Sequence, residues 1–234
     1  MALRRTVLAL LALTVLTVPA LTACGGGKPQ ESASQLLGRA KTTLDHASSV
    51  HFVLTSSGAP TTGTALVGGE GDIARPASFR GTLKVLASGA TVDLRVVSVD
   101  GRVYAQLPFT SAYSVVQPAA FGFGDPGALL DPDTGISQLL NGATSAKLGA
   151  EKRVGGEVVR EVSAQLPGDL VQKILTSKDP GKPVKAQFSI ASDSGQLRRA
   201  ELTGPFFSAT KDATFTLDLS KFGAHVSITA PPTR

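Results

Sequence analysis

From residue 32 onward the hydrophobic period of the chain switches several times. Ser32 to Ala47 places Leu36, Leu37, Ala40, Leu44 and Ala47 on one face at every third or fourth position, which predicts an amphipathic helix. From Val50 to Leu107 the period becomes two, as in Thr82-Leu83-Lys84-Val85 and Val92-Asp93-Leu94-Arg95-Val96, punctuated by Gly58, Gly63, Gly81 and Gly89. That pattern predicts antiparallel strands joined by tight turns. Asp100-Gly101, set between β-rich arms in Val99 to Tyr104, is the commonest sequence signal for a two-residue hairpin. Between Phe121 and Ala146, Asp125-Pro126 and Asp131-Pro132-Asp133-Thr134-Gly135 read as turns or caps. Ile136, Leu139 and Leu140 then recur at helical spacing, so one or two short helices interrupt the strands. Alternation returns at Ala146 to Leu166 with Gly155-Gly156 as a second hairpin turn. A short helix carrying Val171, Ile174 and Leu175 is expected over Asp169 to Lys178. Lys185 to Ala191, Gln196 to Leu202, Thr214 to Leu219 and Ala224 to Ala230 read as further strands, the last closed by Pro231-Pro232. The sum is an α+β chain of about ten strands and few helices.

The first residues follow another logic. Arg4 and Arg5 precede an apolar run from Val7 to Val18, then Pro19 and Leu21-Thr22-Ala23-Cys24. A positive flank, an apolar core and small residues before a cut define a signal peptide. The run is shorter than the roughly 20 residues a spanning helix needs. Leu21-Thr22-Ala23-Cys24 resembles the bacterial lipobox, in which the cysteine is acylated and becomes the new N-terminus. Cys24 is the only cysteine, and lipidation removes the liability of a lone thiol in an oxidising compartment. The expected organisation is a signal peptide over 1–23, a lipidated flexible tether over 24–32 that is rich in glycine and polar residues, and a single domain over 33–234. The expected location is the outer face of the cell membrane, held in the cell envelope by the lipid anchor.

Charge narrows the partners. The formal net charge is +5, and losing Arg4 and Arg5 leaves a small, dispersed excess that does not suggest nucleic-acid binding. With 10 Phe, 2 Tyr and no Trp, stacking platforms for bases or sugars are scarce. The search for chemistry finds little. His46, His51 and His225 form no zinc-type pair, and no second cysteine exists for a thiolate site. Ser208-Ala-Thr-Lys211 has the serine-to-lysine spacing of penicillin-interacting enzymes without their companion motifs. Asp131 and Asp133 fit turn and cap roles better than a calcium loop, because no glutamate closes it. No phosphate-binding glycine loop or Gly-x-Ser-x-Gly turn is present. The chain is expected to be a binder without catalytic residues, metal or cofactor. Its aliphatic residues suit either a packed core or a lined cavity, since both use the same side chains.

Several stretches in order carry a resemblance that covers nearly the whole chain after Cys24. They are Leu21-Thr22-Ala23-Cys24, Ser49 to Thr55 after the first helix, the Val99 to Tyr104 hairpin, Asp131 to Gly135 with its following helix, and Leu219-Ser220-Lys221-Phe222-Gly223 with Val226 and Pro231-Pro232. In these the chain resembles the LppX/LprAFG family of mycobacterial envelope lipoproteins, nearest its LprG-type members. It departs from them in lacking tryptophan, Phe222 standing where Lys-Trp-Gly is common.

The resemblance implies a curved antiparallel β half-barrel of the LolA/LolB type, with helices on its concave side and an apolar cavity between. It implies a carrier that moves triacylated lipids or glycolipids, such as triacylglycerol, phosphatidylinositol mannoside or lipoarabinomannan, across the envelope with a lipid exporter of the major facilitator type as partner. Exposing a 16-carbon tail costs on the order of 12 kcal/mol at about 0.8 kcal/mol per methylene, so a carrier must offer equivalent burial. The expected lining is Leu83, Val85, Val92, Leu94 and Val96 from strands, with Leu129, Leu130, Ile136, Leu139, Leu140, Val171, Ile174 and Leu175 from the helices. The rival expectation is a non-enzymatic scaffold or adhesion lipoprotein with a filled core.

Overall fold

The computed structural model describes residues 31–121 and 123–233; the expected signal peptide, the lipid-bearing Cys24 and nearly all of the tether lie outside that range. The first helix, α1, runs Ala33–Asp45. Ser32 starts it as a capping box: its hydroxyl accepts from Gln35 N at 3.2 Å, and its own N–H donates to Gln35 Oε1 at 2.8 Å. Leu36, Leu37, Ala40 and Leu44 form the buried stripe that the periodicity predicts.

Six strands follow: β1 (Ser49–Ser57), β2 (Ala65–Ala74), β3 (Ser78–Ala87), β4 (Ala90–Val99), β5 (Arg102–Gln106) and β6 (Ser114–Val116). A crossover then carries 3-10 turns at Pro118–Phe121 and Pro126–Leu130 and the short helix α2 (Ser137–Asn141). Five more strands complete the fold: β7 (Thr144–Val154), β8 (Glu157–Leu166), β9 (Val184–Ala191), β10 (Leu197–Gly204) and β11 (Ala213–Ser220), with α3 (Gly168–Gln172) between β8 and β9. All eleven make one antiparallel sheet in the order β6-β5-β4-β3-β2-β1-β11-β10-β9-β8-β7. Two meanders therefore meet at the centre, where β1 pairs with β11, Phe52 opposite Leu219 and Leu54 opposite Leu217.

The tight turns follow from backbone stereochemistry. Ser88-Gly89, Asp100-Gly101 and Gly155-Gly156 each have positive φ at both central residues, the primed geometry that matches strand twist. Gly81 does not join them. It sits inside β3 opposite Gly71, and a Cβ there would lie 2.7 Å from both Gly71 Cα and Phe79 Cζ. The two glycines leave a trough in the sheet that the Phe79 ring fills, stacked on Phe52 with centroids 5.7 Å apart.

The sheet curls into an open half-barrel whose concave side packs against α1, α2 and the 3-10 turn Pro126–Leu130. The other side carries polar pairs between residues directly opposite on neighbouring strands: a hydrogen bond between His51 and Asp72 at 2.8 Å, and ion pairs of Lys84 with Asp93 at 3.1 Å and Arg199 with Asp218 at 2.6 and 2.9 Å. Alternation sorts carbon inward and charge outward along strands such as β1 and β10, whereas Val96 to Ser98 on β4 and Phe188 to Ala191 on β9 are buried in succession.

Two segments differ from their sequence patterns. Ala224 to Ala230 alternates but forms no strand. At the end of β11 both neighbouring positions are taken by β1 and β10, and Lys221 and Gly223 with positive φ turn the chain out of the sheet. Asp169 to Lys178 is helical only through α3; beyond it Leu175 makes an isolated bridge to Phe123, and Lys178 N donates to Pro205 O at 2.8 Å.

Candidate functional site

Curvature leaves a space between the centre of the sheet and the crossover that the side chains do not fill. It is a cavity of about 380 Å³, within the size range of small-molecule sites. Its floor comes from strands at the junction of the two meanders: Phe52 and Leu54 on β1, Leu66 on β2, Leu83 on β3, Ala200 and Leu202 on β10, and Phe215 and Leu217 on β11. Its roof comes from the crossover residues Phe123, Pro126, Ala128, Leu129, Ile136 and Leu139 and from Ile174 and Leu175 after α3.

The carboxylate and the hydroxyl at the wall are already engaged. Asp125 accepts from Ser98 Oγ at 2.6 Å and from Gly127 N at 2.8 Å, which starts the Pro126–Leu130 turn. Thr134 donates through its backbone N–H and its hydroxyl to Asp131 Oδ1, at 2.8 and 2.9 Å, and Asp133 N adds a third bond at 2.9 Å. These bonds, the Asp133 N–H foremost, hold the Asp131 carboxyl below its usual range. Lys173 stands exposed at the rim. Strand backbones satisfy one another, so the interior presents hydrocarbon.

Six of the expected side chains face this cavity: Leu83, Leu129, Ile136, Leu139, Ile174 and Leu175. Val85, Leu94, Val96, Leu130, Leu140 and Val171 are buried in the surrounding core, and Val92 is half-buried against it. Alternation assigns a residue to a face, whereas roof contact decides whether it meets empty space; the Pro126–Leu130 turn packs on β2, β3 and β4. Phe52, Leu54, Leu66, Ala200, Leu202, Phe215 and Leu217 carry the same alternating signal and were not singled out, because the β1–β11 pairing that brings them together is non-local. Among the described residues no cluster of three His, Cys, Asp or Glu could hold a metal ion, and no helix is long and apolar enough to cross a membrane.

An antiparallel half-barrel with an apolar chamber under a short-helical crossover defines the architectural class of the protein. The particular family is explicit: residues 32–228 match the model of the LppX_LprAFG lipoproteins, and the chain belongs to that family. The lipoarabinomannan carrier protein LprG of Mycobacterium tuberculosis is 29% identical over 88% of this chain and 85% of its own length. LprG of Mycolicibacterium hassiacum is 31% identical over 92% of this chain and 94% of its own. Among solved structures, LprF from Mycobacterium bovis superposes with a TM-score of 0.71 at 20% identity, covering 85% of this chain and 96% of LprF. LppX from M. tuberculosis gives 0.63 at 17%, covering 84% and 98%. The half-barrel architecture expected from the sequence is the one these neighbours share.

Proposed function

We propose that this protein is a lipid-anchored carrier of the cell envelope that shelters the acyl chain of a lipid or glycolipid in the 380 Å³ cavity and hands it on across the aqueous space. The supporting observation is the cavity itself: an unfilled chamber roofed and floored by Leu, Ile, Ala and Phe, with its wall carboxylate and hydroxyl already hydrogen-bonded. Such a chamber favours hydrocarbon by about 0.8 kcal/mol per methylene over a polar solute in its interior. Its existence argues against the filled-core scaffold. Lipoarabinomannan, named for the LprG relatives, belongs to the cargo class, as do triacylglycerol and phosphatidylinositol mannoside. At roughly the 30 Å³ that a water occupies in the liquid, a methylene count of about 13 fills the cavity, so one chain of a multi-acyl cargo is buried at a time. Cys24 would carry the anchor, and a membrane exporter would supply direction.

Native mass spectrometry before and after incubation with triacylglycerol or phosphatidylinositol mannoside tests this reading. A one-to-one adduct is the expected outcome. A folded protein that takes up no acyl lipid would sink it.

A further inference from the structure

A second cavity of about 260 Å³ adjoins the first where the β1–β2 loop meets the segment after α3. Leu66, Leu175 and Phe215 line both, so the two chambers share a wall. The two differ in chemistry. One side of the second chamber is aromatic: Phe206 meets Phe215 edge-on at 5.1 Å between centroids, and Phe207 lies tilted at 5.4 Å from the same ring. The same chamber is also lined by Thr62, Thr64 and Lys178, all three exposed.

The backbone of Lys178 is held in place while its ammonium is left without a salt bridge among the described residues. Its backbone N–H donates to Pro205 O at 2.8 Å, which fixes the segment over the aromatic wall. Among the described residues its ammonium enters no ion pair, unlike Lys182, whose ammonium lies 3.5 Å from Asp179. An amphiphile whose tail lies in the first chamber can place its head in the second where the two share a wall. There it would meet donors in the form of hydroxyls and one unneutralised cation, a set complementary to an oxyanion with neighbouring ester or alcohol oxygens.

We propose that the second chamber is the headgroup site, selecting cargo whose head is an oxyanion, a phosphodiester or a carboxylate, bound by Lys178 with Thr62 and Thr64 beside it. This rests on the carrier reading and deepens it: the first chamber reads chain and the second reads charge.

The test uses the full chain, stripped of bound lipid, with displacement of a fluorescent fatty acid as readout. The competitors share one 16-carbon chain: palmitoyl lysophosphatidylglycerol, palmitate and neutral monopalmitoylglycerol. Wild type should bind the two anionic competitors more tightly than the neutral one, and Lys178→Glu should weaken the anionic ones about tenfold while leaving monopalmitoylglycerol unchanged. The phosphodiester and carboxylate arms show which oxyanion the site prefers. Equal loss for all three competitors, no loss for any, or the same loss in Lys182→Glu would overturn the headgroup assignment while leaving the carrier reading standing. Failure of every lipid to displace the probe would remove the carrier reading as well.

Discussion

Chain length offers the sharpest interrogation of the main cavity. Consider a series of saturated fatty acids from 8 to 22 carbons, each titrated against the delipidated protein. While added methylenes enter the cavity, each should tighten binding by about 0.8 kcal/mol, roughly fourfold in Kd. Four methylenes, from 8 to 12 carbons, then give about 3 kcal/mol, more than a hundredfold. The increment should collapse near 14 carbons, because about 13 methylene volumes of roughly 30 Å³ exhaust a chamber of 380 Å³. Isothermal titration calorimetry reads both quantities, and the heat-capacity change should grow more negative over the same range and then level off. Affinity already flat from 8 carbons would mean that the chain lies outside the cavity. A rise continuing unabated to 22 carbons would mean that this volume does not set the limit.

Three further outcomes follow from the geometry. Leu83→Trp places a ring in the cavity floor, where Leu83 is 3% exposed; acyl-lipid uptake should fall at least tenfold with an unchanged far-ultraviolet circular dichroism spectrum, and full uptake by a folded variant would dismiss this floor as the binding surface. Gly81→Ala drives a methyl within 2.7 Å of Gly71 Cα and the Phe79 ring, so thermal unfolding should show a loss of about 2 kcal/mol, roughly 4–8 °C in Tm for a fold of this length. Asp131, held below its ordinary pKa by hydrogen bonds in which the Asp133 N–H leads, contributes stability above the unfolded value near 4 that disappears as pH falls through the lower folded value. Asp131→Asn keeps an acceptor without the charge, so urea unfolding at pH 3 and pH 6 should differ less in the variant than in wild type; an unaltered difference would refute the linkage.

Much of the fold was legible because local rules enforce it. Ser32 and Gln35 announce the start of α1, and the Asp100-Gly101 and Gly155-Gly156 pairs announce primed turns. Ala224 to Ala230 misleads because a period of two states only that a segment could pair, whereas the sheet has no vacant edge beside β11. The cavity was legible in part for a similar reason. Leu83 and Leu94 sit opposite one another on the same face, yet one borders empty space and the other is packed over, and nothing in either residue distinguishes them. Phe52 and Leu217 meet through strands at opposite ends of the chain. Only the resemblance to a family, carried by order and spacing across many segments, pointed to an open interior.

The meeting of β1 and β11 at the middle of the sheet also governs how the protein is made. A chain that emerges N-terminus first, from the ribosome or along the proposed export route, presents β1 early and β11 last, so until then β1 has one bare edge and the two meanders cannot join. Loop-closure entropy over more than 150 intervening residues must be met before that seam rewards it, which makes the step slow. Until the last strand arrives, the hydrocarbon face that later surrounds cargo stands open to water and to other unfinished copies. Removal of the final twenty residues takes most of β11 and should leave a chain whose meanders cannot join and that aggregates.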